Sequence, residues 1–179
     1  LGRLLDSRIE TRGAVVEQYL PEHRIHFDSH RGEPRNADMA FVGRTSVGKV
    51  AVTIEAKADE PFGGTVADTL SDAVERLIET PRSRGIQRIQ DLTRALFGVR
   101  LKKQPKVGAL RYQLLTAVAG SLAYAIANDA DTAVLVIHEF RTCKTDDTLH
   151  EVNAQDLDDF LLRLGGVRAG KPALENSYE

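Results

Sequence analysis

The sequence predicts an α/β domain with a mixed sheet and helices on its faces. Two strand-like runs at 37–44 and 49–58 flank a turn of polar and small residues at 45–48, which predicts a β-hairpin. A nearly continuous apolar run at 132–140 is typical of a buried central strand. The segment before it, 108–128, has the periodicity and small residues of a helix packed closely on a sheet.

Composition places the chain among ordinary globular proteins. Hydrophobic residues make up 42% and charged residues 28% of the 179 positions, which suits one domain over residues 1–165 with a flexible tail at 166–179. No apolar run approaches the roughly 20 residues of a membrane span. The single cysteine, Cys143, excludes an internal disulfide and a cysteine-rich zinc site, and favours the reducing cytoplasm.

The remaining elements follow from apolar spacing and from breaker residues. Residues 1–20 have roughly helical spacing, and Pro21 predicts the end of that helix. Residues 24–30 alternate as in a first strand, with His26, Asp28 and His30 on a face that we expect to be solvated. Further helices are predicted at 66–80, 84–98 and 156–164, with a polar loop at 141–150.

The hairpin makes a specific pairing prediction. If Arg44 faces Lys49, then Asp38 falls opposite Glu55, and Lys57 shares their face two residues further on. The opposite face of the hairpin is almost wholly apolar. We therefore expect one face to pack on a core and the other to present two carboxylates and an ammonium group.

Carboxylates on directly opposed strand positions should repel each other, since facing Cβ atoms are only about 5 Å apart. A divalent cation would cancel that repulsion, polarise a phosphodiester and lower the pKa of a bound water. An Asp on one strand followed by Glu55-Ala56-Lys57 near the end of the next resembles the PD-(D/E)XK nuclease superfamily. Ala37 stands where the name motif of that family has proline.

The resemblance implies a restriction-endonuclease-like αβββαβ core over residues 1–60 and 108–140, with 61–107 as a helical insertion. It implies that the side chains of Asp38 and Glu55 and the carbonyl of Ala56 bind Mg²⁺ or Mn²⁺. Lys57 would assist hydrolysis, and Gln113 matches a glutamine that many members carry near the active site. The expected function is metal-dependent hydrolysis of phosphodiester bonds in DNA, with a homodimer allowed because paired cuts usually need one in this superfamily.

Charge distribution adds an expected contact with nucleic acid. Residues 81–111 carry nine basic side chains and one acidic side chain, a net +8 in a chain whose total is −2. We expect the basic segment, residues 82–106, to contact a phosphate backbone. Arg35 and Asn36 are close enough to Asp38 in sequence to touch a phosphate as well.

Several alternatives stay open. The charged hairpin positions could be an ordinary solvated face, and the basic segment a solvated surface. The fold could be catalytically inactive and only bind nucleic acid or a protein, or it could serve as an interaction module whose acidic C-terminal helix docks a partner. The run 43–49 matches GxxxxGK of a phosphate-binding loop, but Val50 replaces the expected Ser or Thr and a strand follows, which predicts a hairpin turn instead.

Overall fold

A computed structural model describes residues 2–30 and 32–165. The predicted tail at 166–179 lies outside these residues. In chain order the elements are α1 (Gly2–Asp6), β1 (Val15–Ile25), β2 (Arg35–Thr45), β3 (Gly48–Lys57), α2 (Val66–Glu79), α3 (Gly85–Leu96), a 3-10 turn (Val107–Ala109), α4 (Tyr112–Ala127), β4 (Thr132–Glu139) and α5 (Asp147–Leu164).

The four strands form one mixed sheet in the order β1-β2-β3-β4. The β1–β2 and β2–β3 pairs are antiparallel, and β3–β4 is parallel. Helix α4 supplies the crossover between the parallel strands, as such pairs require. The predicted α/β class with a mixed sheet flanked by helices is therefore confirmed. In the described part of the chain, none of the helices combines the length and apolar character needed to cross a bilayer.

The hairpin has the predicted register. Arg44 pairs with Lys49, and the ladder continues in step to the pair Met39–Ile54. Gly48 is the first residue of β3, so the GxxxxGK run is a hairpin turn, as predicted. The register is strongly specified because a slip of one residue would move the apolar residues of one strand to the opposite face from those of its partner.

The predicted helix over residues 1–20 is wrong beyond Asp6. Only Gly2–Asp6 is helical, and Val15–Ile25 forms β1. Paired β-branched residues begin this strand, which favours extended backbone over helix. Pro21 does not end a helix but lies within β1, an edge strand, where a missing N–H costs the sheet little. The register also shifts between Val16 and Gln18.

The other predicted elements agree in kind and differ at their ends. The predicted strand at 24–30 is wrong from His26 onward, since β1 ends at Ile25. Helices α2, α3 and α4 lie within the predicted ranges. Helix α5 begins at Asp147, inside the predicted loop, because the Asp146 side chain accepts a hydrogen bond from the Thr148 amide and caps the helix N-terminus.

Both faces of the sheet are covered, which corrects the expectation of one open face. On one side Ala40, Val42 and Ala51 pack against Tyr124 and Ala125 of α4. On the other side the core consists of Phe41, Val50, Val52, Ile54 and Val136, with Leu5 of α1 packed against it. The face that carries Glu55 and Lys57 is thus an interior surface.

The chain divides into two compact units. The first contains residues Leu1–Ala58 and Thr116–Phe140, and therefore the whole sheet. The second contains Asp59–Leu115 and the described chain from Arg141 onward, and therefore α2, α3, α5 and the predicted insertion. In the second unit the rings of Phe97 and Phe160 meet edge to face, and the Arg163 guanidinium lies 5.1 Å from the centre of the Phe97 ring.

The hairpin turn generates a stability prediction. Gly48 has φ +148°, and a Cβ there would lie 2.6 Å from Oδ2 of Asp131, the atom that accepts the Lys49 amide hydrogen. We expect Gly48→Ala to lower the free energy of unfolding by about 1–3 kcal/mol, through backbone strain and loss of that hydrogen bond. Urea unfolding measures the change. Gly64→Ala is the control, since its Cβ would meet Asp68 Cβ at an ordinary 3.6 Å, and an equal loss in both variants would contradict the prediction.

Candidate active site

The last residues of β3 place a carboxylate and an ammonium group on one face. Glu55 and Lys57 are two positions apart, so their side chains leave the strand on the same side. Lys57 Nζ lies 3.2 Å from Glu55 Oε1. Both residues are buried, with 5% and 4% of their surface exposed. A contact at this distance between two desolvated groups is an ion pair protected from solvent screening.

A second cation meets Glu55 from the neighbouring strand. The Arg35 guanidinium, through Nη2, forms an ion pair with Glu55 Oε2, so each oxygen of this carboxylate has a cationic partner. Burial lowers the pKa of the Arg35 guanidinium from its usual value, while the negative charge of Asp38 acts to raise it. Arginine nevertheless keeps its charge in proteins. Glu55 is therefore held between two positive groups.

Asp38 joins the group through the backbone. Its Oδ2 accepts a hydrogen bond of 2.6 Å from the amide of Ala56, the residue between Glu55 and Lys57. The β2–β3 ladder ends one pair earlier, at Met39–Ile54, so the predicted opposition of Asp38 and Glu55 does not take the form of a ladder pair. Asp38 instead fastens the start of β2 to the end of β3.

A change in side-chain alternation along β2 explains how Arg35 reaches Glu55. Arg35 and Ala37 line a recess with Ala117 of α4, and Ala40 packs on α4 as well. Strict alternation would put positions 37 and 40 on opposite faces, so it shifts between them. In β1, Glu22 lies opposite this point and has φ +47°. The shift turns Arg35 toward the interior face that carries Glu55.

Helix α4 closes this face with small side chains. The hydroxyl of Ser121 contacts that of Thr53 on β3 and donates 2.8 Å to the Ala117 carbonyl one turn earlier. A Cβ placed on Gly120 would lie 3.2 Å from Cγ of Arg35. The absence of a side chain at Gly120 therefore provides the space that the Arg35 stem occupies.

Two further polar residues, Gln113 and Glu139, lie at the ends of α4 and β4. Gln113 lies in the first turn of α4, at a position that belongs to the second unit, and its role stays a prediction. Glu139 is the register partner of Lys57 in the parallel β3–β4 pair. Sequence reasoning did not select Glu139, because only the parallel register places the end of β4 beside the end of β3.

The donor set suits a hard cation in part. Mg²⁺ usually takes one or two carboxylates and keeps several waters, which matches Asp38 and Glu55. Among residues 2–30 and 32–165, however, no group of three or more His, Cys, Asp or Glu side chains is arranged to hold a metal. Arg35, Asp38, Glu55 and Lys57 have formal charges that cancel. A divalent ion at Glu55 must therefore compete with the cations already there.

The ion pairs generate a prediction about stability. We expect Glu55→Gln to reduce the free energy of unfolding by about 3–5 kcal/mol, since it leaves two buried cations without their shared anion. The matched control is Glu17→Gln in the same unit, whose pair with Arg44 is solvent-exposed, with 39% of the Glu17 side chain accessible against 6% for Glu55. That control should lose less than about 1 kcal/mol. Similar small losses in urea unfolding for both variants would count against a buried network.

The sequence matches the model of a known protein family. The model of a family described as "Domain of unknown function (DUF6946)" matches residues 1–177. Neither the curated proteins nor the solved structures include a significant match. The match extends over almost the entire sequence, including both compact units. The chain therefore belongs to the DUF6946 family.

Proposed function

We propose that this chain is a Mg²⁺- or Mn²⁺-dependent nuclease that hydrolyses phosphodiester bonds in DNA, on a restriction-endonuclease-like core. The supporting observation is the meeting of Lys57 with Glu55 at 3.2 Å and of Asp38 with the Ala56 amide at 2.6 Å. These contacts support a site at the junction of β2 and β3 that is formed by two carboxylates and an ammonium group. The order of α1, three strands, α4 and β4 is compatible with an αβββαβ core.

Each residue has a role that its chemistry supports. Asp38 and Glu55 supply the carboxylate oxygens that hard cations prefer, and the Ala56 carbonyl adds a third oxygen. The bound ion would polarise the phosphoryl oxygen and lower the pKa of a water. Lys57, already held against Glu55, offers N–H donors to a water or to the charge that builds on the phosphate. Gln113 is proposed to orient the substrate.

The basic segment supports a nucleic-acid substrate. Between residues 81 and 111, Arg88 and Arg111 are half-buried and the other seven basic side chains are exposed. Arg111 is also engaged, since its Nε donates 2.8 Å to Asp156 Oδ2. Around the exposed Lys102 and Lys103 the backbone is ordered by Gln104, whose side-chain oxygen accepts from the Leu101 amide. A structured surface of this charge suits a polyanion.

One observation favours a second candidate function, binding of nucleic acid without hydrolysis. The two oxygens of Glu55 face Arg35 and Lys57, so this carboxylate is neutralised without a metal. In that case the cluster is an internal support of the sheet, and the basic segment carries the activity. Salt-sensitive binding of duplex DNA together with no cleavage in Mn²⁺ would identify this second function.

The nuclease proposal predicts the effect of two substitutions. Asp38→Asn removes a ligand charge at nearly constant volume, and Lys57→Met removes the ammonium group. We expect each to reduce Mn²⁺-dependent cleavage of plasmid DNA at least about 100-fold, the scale of losing one directly acting group. Cleavage is followed on gels, and circular dichroism confirms that each variant is folded.

Matched controls remove the same charges elsewhere. Glu17→Gln and Lys144→Met replace exposed residues, and both should cleave at the wild-type rate. Undiminished cleavage by folded Asp38→Asn and Lys57→Met proteins would refute the assignment of this site.

The basic segment makes a separate prediction. We expect the triple variant Lys102→Gln, Lys103→Gln, Lys106→Gln to bind duplex DNA more weakly. The slope of log affinity against log salt should also become less negative by about 2–3, because each lost phosphate contact removes about 0.9 from the slope. Fluorescence anisotropy at several salt concentrations measures both. The control triple is Arg24→Gln, Arg44→Gln and Lys144→Gln, which removes equal charge from exposed positions outside the segment. Equal effects of the two triples would show that only net charge matters.

A further inference from the structure

Arg35 is the charged residue of the cluster to which the proposed chemistry gives no task. Only 13% of its side chain is exposed, although arginine is seldom buried without a specific partner. That partner is Glu55, the proposed metal ligand, rather than one of the surface acids. A buried guanidinium on a metal-binding carboxylate calls for an explanation.

The position of Arg35 is built into the fold. The alternation shift in β2 turns the residue inward, and Gly120 of α4 leaves the space for its stem, 3.2 Å from where a Cβ would be. Ala117 and Ser121, the neighbours of Gly120 on this face of α4, line the same recess. Three small residues thus form the wall beside a long side chain. The packing of the interior therefore fixes the Arg35–Glu55 ion pair, unlike a contact made by a flexible surface side chain.

The charges of the site indicate that the Arg35 guanidinium occupies a position that suits a metal cation. Glu55 and Asp38, which accepts from the amide next to Glu55, contribute two negative charges, and a divalent cation or two monovalent cations balance this charge equally well. Arg35 at Oε2 and Lys57 at Oε1 supply the two monovalent charges. A metal bound to Glu55 would need an oxygen that one of these cations now contacts, and it would be repelled by both.

We propose that Arg35 is an internal counter-ion that holds the cation position at Glu55, and that binding of Mg²⁺ or Mn²⁺ requires its guanidinium to withdraw from this carboxylate. The inference rests on the proposed function, because it takes Glu55 as a metal ligand. It makes the metal-binding state a fraction of the free protein, and the apparent metal affinity falls in proportion to that fraction. The metal requirement of the protein would therefore be set by the strength of one ion pair.

The first test measures Mn²⁺ affinity by calorimetry, without any substrate. Arg35→Gln should bind Mn²⁺ at least tenfold more tightly than the wild type, and the double variant Arg35→Gln, Glu55→Gln should lose that gain. Arg44→Gln, which removes a guanidinium from the exposed pair with Glu17, is the control and should match the wild type. Unchanged or weaker Mn²⁺ binding by Arg35→Gln would overturn the proposal.

A second measurement separates withdrawal from simple repulsion. The guanidinium N–H signals of Arg35, assigned by comparison with Arg35→Lys, should exchange slowly with solvent in the free wild-type protein and quickly after Mg²⁺ is added. Mg²⁺ binding that leaves this exchange slow would also overturn the proposal. The measurement uses the wild-type chain, so it remains decisive even where Arg35→Gln fails to fold.

The outcomes also distinguish this inference from the nuclease proposal. Tighter Mn²⁺ binding by Arg35→Gln, with no cleavage by any folded form, would support the counter-ion and overturn the nuclease. Cleavage that depends on Asp38 and Lys57, with no change of metal affinity in Arg35→Gln, would support the nuclease and overturn the counter-ion.

Discussion

The buried ion pair between Arg35 and Glu55 is the constraint on which this end of the sheet depends. At an effective dielectric constant of about 20, two unit charges 4 Å apart interact by about 4 kcal/mol, and the cost of removing ions from water makes an unpaired partner untenable. The pair therefore requires β2 to turn Arg35 inward and α4 to present Gly120 beside it. The side-chain alternation of β2, the small residues of α4 and the position of Glu55 on β3 are thus all conditions for the ion pair between Arg35 and Glu55.

The hairpin shows which parts of the fold local sequence can predict. Its register follows from alternation and turn composition within a few residues, and the pairing of Arg44 with Lys49 is as expected. The N-terminal segment shows the opposite. Apolar residues around Val15 and Tyr19 suit a helix by spacing, but pairing with β2 decides in favour of a strand. Spacing alone cannot contain that information, because the partner lies elsewhere in the chain.

The candidate site likewise has contacts that local sequence predicts and contacts that it does not predict. The contact of Lys57 with Glu55 follows from a two-residue spacing on a single strand, so the sequence could predict it. The role of Arg35 depends on a shift of alternation within β2 and on a glycine 85 positions away in α4. Glu139 comes next to Lys57 only through the parallel register. Such positions are consequences of tertiary packing and carry no local signal.

A buried charge network of this kind is a poor means of stabilising a sheet. Apolar side chains of similar volume would pack as well or better, since desolvation offsets most of the attraction within an ion pair. The four charges therefore call for a reason beyond stability, and two explanations have a physical basis: a unique register at the β2–β3 junction, or an ionic ligand. Asp38 already fastens the β2–β3 junction through the Ala56 amide, a hydrogen bond that involves neither Arg35 nor Lys57. Under the counter-ion proposal, the two cations on Glu55 have the second kind of role, because they keep the negative charge of the site balanced until a ligand arrives.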